Sequence, residues 1–231
     1  MKIIAKIFFI FLLLVFVIGS IALVIGYSYY SKALKEKPLI TRIEELTNQE
    51  HYTAFEELPK VYINAVIAVE DRRFYEHGAI DIIGIARAFY TNIRDGKFDE
   101  GGSTITQQVA KNVIFNQDQN IVRKLGEIFA AYDLEKNYSK DEIFAFYVNS
   151  SYFGDGYYNI YDASHGYYNK EPKDLNLAEA SMLAGIPNAP SVYAPTVNPE
   201  LAKKRQKHVL NKMVENNYIS QQEANNIIGT N

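Results

Sequence analysis

The chain contains no cysteine. That absence excludes disulfides, a thiolate nucleophile and any Cys-ligated metal, and it leaves redox chemistry silent about the compartment. An excess of positive charge is missing too: 24 Lys and Arg stand against 27 Asp and Glu, for a net charge of −3 and a pI near 5.9. A general nucleic-acid binder usually carries a basic face and a basic pI, so no nucleic-acid partner is expected. Serine chemistry has no candidate either, since Gly-x-Ser-x-Gly, Ser-x-x-Lys and Lys-Thr-Gly do not occur. The four histidines show no His-Glu-x-x-His spacing, which removes the common zinc-hydrolase pattern. Strand signals are weak and no internal repeat is visible.

What is present begins with a long apolar run. Ile7 to Ile25 is interrupted only by Gly19 and Ser20, and about 20 such residues cross a hydrocarbon core as a helix. Ser20-Ile21-Ala22 offers a signal-peptidase-like pattern, but the apolar run continues past it, which favours an uncleaved anchor over residues 7–26. Lys2 and Lys6 precede the span, while Lys32, Lys35 and Lys37 follow it, so the flanking charge does not set the orientation. Long domains translocate largely regardless of such charges, and the expectation is a short cytoplasmic tail, residues 1–6, with the bulk of the chain outside. With 231 residues there is room for this anchor and one ordinary domain. Residues 27–55 read as a polar stalk or linker, and residues 56–231 as the domain.

Helix punctuation recurs through that domain. Pro59 precedes an apolar stripe at Val61, Ala65, Val66 and Val69; Asp81 and Ser103 are placed to cap the next two helices. Ile121, Leu125, Ile128, Tyr132 and Leu134 mark a fourth. Ser139 with Glu142 forms a capping box, and Asn176 with Glu179, Asn198 with Pro199 and Ser220 with Glu223 open three more helices. The domain therefore reads as mainly α-helical. The stretch Ser150 to Asn169, crowded with tyrosine and glycine, resists that reading; it suits either a loop-rich packing layer or a cleft whose rings stack on sugars.

Three polar groupings carry candidate chemistry. Glu70 follows the apolar stripe and falls at a helix C-terminus, where the dipole disfavours an anion. It is either a general base or a solvated helix end paired with Arg72 or Arg73. Gly101-Gly102-Ser103 brings flexible backbone to a helix start, whose N–H groups favour anions. Thr104, Gln108 and Lys111 then fall on one face, and no Gly-Lys-Ser/Thr ending makes this a P-loop. Arg123 and Glu127 are spaced i, i+4 with Lys124 adjacent. They are either a surface ion pair or, with Lys111, a clamp for pyrophosphate.

Together, Glu70-Asp71-x-x-Phe74-x-x-His77, Gly102-Ser103-Thr104-Ile105-Thr106-Gln107-Gln108-x-x-Lys111-Asn112, Arg123-Lys124-x-x-Glu127, Tyr152-Phe153-Gly154 and Arg205-x-x-x-Val209-Leu210-x-x-Met213 resemble the peptidoglycan glycosyltransferases, the transglycosylase domain of class A penicillin-binding proteins. The resemblance covers about Leu58 to Ile219 and looks like a monofunctional member. It implies a lysozyme-like, two-lobed fold with a head and a membrane-touching jaw, anchored in a bacterial membrane with the catalytic domain outside. It also implies the reaction: lipid II is added to a growing glycan strand, the C4 hydroxyl of one sugar displacing undecaprenyl pyrophosphate from another with inversion, giving β-1,4 linkages.

In that pattern Glu70 matches the general base. Glu127 matches the second essential glutamate, assisting the leaving pyrophosphate directly or through a divalent cation, Mg or Mn; no organic cofactor is implied. Asp71, Phe74, His77, Ser103, Thr104, Gln107, Gln108, Lys111, Asn112, Arg123, Lys124 and Tyr152 match substrate-side positions. Other cell-wall synthesis proteins are candidate partners. Two departures stand out: Ala79 replaces the glycine of His-x-Gly, and Gln119 stands near where some relatives carry an extra arginine. Ile82, Ile83, Ile85, Phe89, Tyr90, Ile93 and Phe98 suit either an apolar jaw surface or ordinary core. The segment Gly96 to Gly102 is expected to be mobile without substrate. The rival functions are a lysozyme-like wall hydrolase and a catalytically silent membrane scaffold.

Overall fold

A computed structural model describes residues 2–96, 101–115 and 120–229. Phe98, Gln119 and most of the Gly96 to Gly102 segment lie outside them. Among the described residues there are helices and turns and no strand. The helices are α1 (Lys2–Glu36), α2 (Leu39–Thr47), α3 (Lys60–Glu70), α4 (Ile82–Asp95), α5 (Ile105–Val109), α6 (Ile121–Asn137), α7 (Lys140–Ser150), α8 (Ile160–Tyr168), α9 (Leu177–Gly185), α10 (Pro190–Tyr193), α11 (Pro199–Glu215) and α12 (Gln221–Gly229). A π-helical turn, Ala110–Ile114, continues α5.

The caps explain most of these boundaries. Asp81 accepts from Gly84 N at the start of α4, Asn198 from Leu201 N at the start of α11, and the boxes at Ser139/Glu142, Asn176/Glu179 and Ser220/Glu223 all form. One cap differs from expectation: Thr104, not Ser103, opens α5, with Gln107 closing the box. Ser103 stays in the loop, where it accepts a hydrogen bond from a lysine of α6. The tyrosine-rich stretch also holds a helix, α8, capped by Asn159 and ended by Asn169 in the left-handed region (φ 52°). Gly166 does not break it, because a Cβ there would lie 2.1 Å from the Tyr157 ring; the glycine makes room for an aromatic side chain.

α7 runs through the centre, with Ile143 to Asn149 all buried. Phe74, Phe144, Tyr147, Tyr62, Leu134 and Ile105 are fully enclosed with it. The segment read as a stalk is largely helical. α1 continues well past the apolar run, and Leu39, Ile43 and Leu46 of α2 bury into the main core. A 35-residue helix is about 52 Å long, far more than the roughly 30 Å of a bilayer core. The excess docks on α6: Tyr29 stacks on Phe115, Tyr27 meets Phe129 edge-on, and Tyr30 donates to Asp133. Two glycines permit the close crossing, since a Cβ on Gly26 would be 2.8 Å from Leu125 and one on Gly126 3.0 Å from Tyr29.

On α4 the apolar residues face outward, with Ile82, Ile83, Phe89, Tyr90 and Ile93 all more than half exposed. The choice between core and surface left open by the sequence is therefore settled for these residues in favour of surface.

Candidate active site

α3, α4, α5, α6 and α11 surround a cleft of about 900 Å³. Both Glu70 and Glu127 line it.

Glu70 is the last residue of α3, whose buried Tyr62, Ala65, Val66, Ile67 and Ala68 fix the helix on the core. Its side chain is only 8% exposed. Gln108 Nε2 donates to Oε2 at 2.8 Å, and Arg205 Nη2 approaches Oε1 at 3.5 Å. Arg205 is itself seated by donation to the Gly185 carbonyl (3.2 Å) and lies over the Tyr193 ring. Behind Glu70 stand the fully buried phenols of Tyr62 and Tyr147. Burial, and next the charge of Glu70, hold both well above the ordinary tyrosine value, so they stay protonated.

The second glutamate, Glu127, is 1% exposed and is gripped by Arg123 at Oε1 and by Lys124 at Oε2 (2.7 Å). Lys124 also donates to Ser103 Oγ at 2.8 Å, tying the glycine loop to α6. Lys111 reaches the same cleft from the π-helical turn. Burial pushes its ammonium below the ordinary lysine value; Glu127 opposes that, while Arg123 and Lys124 add to it. Arg123 and Lys124 thus share one carboxylate, and Lys111 lines the same cleft, so three cations gather in the neighbourhood of Glu127.

A third group braces the loop between α3 and α4. Asp71 Oδ1 meets His77 Nε2 at 2.7 Å and Asp71 Oδ2 accepts from Ile105 N at 3.0 Å, while Arg73 pairs with the α4 cap Asp81. The other ring nitrogen of His77 faces the Gly78 carbonyl at 2.6 Å. Both nitrogens therefore face acceptors, an arrangement that requires an imidazolium. Burial disfavours that charge, but the Asp71 contact outweighs it and holds His77 above the ordinary value. Asp71, His77 and Asp81 also set one potential ligand atom each within 4.8 Å of one another, the one such grouping found among the described residues. Its carboxylates are already met by Arg73, His77 and backbone N–H groups. At Glu127 both oxygens are engaged by cations, so a metal ion there would have to displace one of them.

Of the residues singled out in the sequence, Glu70, Asp71, Ser103, Gln107, Gln108, Lys111, Lys124 and Glu127 line the cleft, and Arg123 joins them through Glu127. Others sit apart. Phe74 is fully buried beneath the Lys140 ammonium, and His77 is turned onto Asp71. Thr104 is a buried cap that donates to the Ala79 carbonyl. Tyr152 stacks on Tyr158 and accepts from Gly156 N, and Asn112 lies on the π turn outside the cleft lining. The sequence reading quoted Arg205 in its last motif without giving it a site role and missed the rest of the α11 wall: Arg205, His208, Lys212 and Glu215 line the cleft. Their i, i+3, i+7, i+10 spacing is a polar helical stripe, a signal that was available.

The helical domain thus holds one carboxylate among cations and another against an amide in a single polar cleft. The particular family follows from comparison: residues 36–214 match the family model described as Transglycosylase, and the chain belongs to that family. It is 48% identical over 172 residues to Penicillin-binding protein 1A of Neisseria lactamica, covering 74% of this chain and 22% of that protein. To Penicillin-binding protein 1F of Bacillus subtilis it is 47% identical over 178 residues, covering 77% and 25%. The chain spans a quarter or less of the length of these relatives.

Proposed function

We propose that this chain polymerises lipid II into the β-1,4-linked glycan strands of peptidoglycan, releasing undecaprenyl pyrophosphate. The observation that carries the reading is the pairing of Arg123 and Lys124 with Glu127 in a cleft that Lys111 and Glu70 also line. Departure of a pyrophosphate calls for cations rather than a strong acid, while attack by a sugar hydroxyl calls for a base.

The steps assign themselves to the two glutamates. Gln108 fixes one oxygen of Glu70, and the Oε1 side, where Arg205 stands off at 3.5 Å, takes the proton of the acceptor's C4 hydroxyl. The new bond forms from that oxygen to the donor's anomeric carbon. The bond from that carbon to the pyrophosphate oxygen breaks, and its electron pair leaves with the pyrophosphate into the field of Lys111, Arg123 and Lys124. Attack opposite the leaving group inverts an α-linked donor to a β product. Glu127 holds Arg123 and Lys124 in place; the charge they supply is what a divalent cation would otherwise provide, and no step here passes through a metal.

α1, long and apolar enough to cross a membrane, would hold the domain against the surface that carries its lipid-linked substrate, on the outer side. The exposed α4 face would be the jaw surface of a lysozyme-like, two-lobed fold. Detergent-solubilised protein incubated with labelled lipid II tests the reading: polymer should form, and Glu70→Gln should abolish it. Equal polymer from both proteins removes Glu70 as the base, and release of fragments from finished wall replaces the synthase with a hydrolase.

A further inference from the structure

The part of the chain that reads as a linker contains an arginine with three backbone partners. Arg42, on α2, donates from Nε to the Lys37 carbonyl at 3.0 Å, from Nη2 to the Ala33 carbonyl at 3.1 Å and from Nη1 to the Val113 carbonyl at 3.3 Å. Ala33 lies in the last turn of α1, and Val113 lies near the end of the π-helical turn that continues α5. The final carbonyls of a helix have no partner within it, and the helix dipole favours a cation there. The Ala33 carbonyl also accepts from Lys37 N at 3.1 Å, so the guanidinium adds a second donor there and bridges the C-terminal ends of α1 and the π-helical turn. A planar fork with five donors can do this; a lysine ammonium, a point charge on a flexible stem, cannot span both.

The turn that Arg42 closes is the one that carries Lys111 into the cleft. A π turn is a rare form of helix, found mostly as a single turn inside an α-helix and frequently at functional sites. On one flank Phe115 stacks on Tyr29 of α1, and on the other Arg42 ties Val113 to the same helix. From these contacts we infer that Arg42 is a positioning residue for Lys111: it fixes the π turn against the end of α1 and so aims the ammonium into the cleft. Arg42 lines no part of the cleft and touches no reacting group. The inference rests on the reading of Lys111 as a pyrophosphate ligand.

A double-mutant cycle on the full-length chain in detergent tests it, with initial rates measured against lipid II concentration. Lys111→Met should lower kcat/KM by about ten- to a hundredfold, the scale of one charge-assisted hydrogen bond. Arg42→Gln should lower it by a smaller factor of about three to ten, since Lys111 remains but is less well aimed. The double variant should be no worse than Lys111→Met alone, because nothing is left for Arg42 to position. Arg42→Lys should fall between wild type and Arg42→Gln; if Arg42→Gln folds poorly, the same cycle is run with Arg42→Lys. Losses that multiply in the double variant, or no loss on replacing Arg42, overturn the inference while leaving the pyrophosphate site intact. An unaffected Lys111→Met protein instead removes the pyrophosphate reading itself.

Discussion

Gln108 Nε2 donates a 2.8 Å hydrogen bond to Glu70 Oε2, joining the second turn of the α5 segment to the last residue of α3. The amide holds one carboxylate oxygen and leaves the other to the cleft. Gln108→Leu should therefore leave the fold intact and lower turnover, while Glu70→Gln should cost about 10²- to 10⁴-fold, the usual worth of a general base. Polymerisation rates beside thermal midpoints separate the two effects; a Gln108→Leu protein that turns over at the wild-type rate would show that the amide does not orient the base.

Glu127 matters to stability as well as to turnover. Its removal takes from Arg123, 11% exposed, and from Lys124 the carboxylate that both contact, and leaves like charges close together. Because Lys124 is 45% exposed, the cost of Glu127→Ala should lie below that of breaking a fully buried pair, about 2 kcal/mol. Chemical denaturation of the detergent-solubilised protein measures it. A stability unchanged within error would mean that solvent already screens the cluster.

His77 predicts a dependence on pH. A folded-state value raised above the ordinary one near 6.5 contributes stability in full below that value, and the contribution is lost as pH rises through the raised one. The melting temperature of the wild type should thus drop, relative to His77→Gln, as pH is taken upward from about 6.5. Activity should follow, since Asp71 links this ring to the start of α5 and so to Gln108. Parallel curves for the two proteins would show that the ring does not carry the second proton.

Gly126 allows α1 to lie against α6. Its replacement by Leu forces atoms into Tyr29 and Phe115, already 3.0 and 3.1 Å from a single added Cβ. Overpacking of this kind costs about 1–3 kcal/mol. The expected result is faster proteolysis within residues 27–38, with the catalytic domain still folded by circular dichroism; unchanged cleavage would show that the joint tolerates the extra volume.

Much of this architecture was legible because it rests on local rules. The caps at Asp81, Ser139, Asn176, Asn198 and Ser220 are short-range chemistry, and each opens the helix it announces. Glu70 and Glu127 could be singled out because their motifs are dense and ordered, and both line the cleft. What escaped depends on contacts distant in sequence. Leu39, Ile43 and Leu46 of α2 follow the i, i+4, i+7 spacing of a buried helix face, but over only 9 residues, and it is packing against α7 and the π turn that buries them. Arg205 lies 135 residues from the glutamate it faces. Gly166 looked like a helix breaker until Tyr157 was found beside it. The π turn replaces one α-helical turn with a wider one, and no residue spacing announces it.

The apolar part of α1 is exposed around its whole circumference, with Phe9, Phe16, Ile18 and Val24 each more than 60% accessible. Inside a bilayer such a helix presents lipid with much the same surface from every direction. Its depth is constrained, but its rotation about its own axis is not. Since the far end is locked to α6 rather than hinged, the catalytic domain would turn with it like a head on a shaft. If α1 spans a bilayer, the cleft would keep one altitude above the lipid while its mouth turned to every compass bearing, and a lipid-linked substrate could arrive from any side.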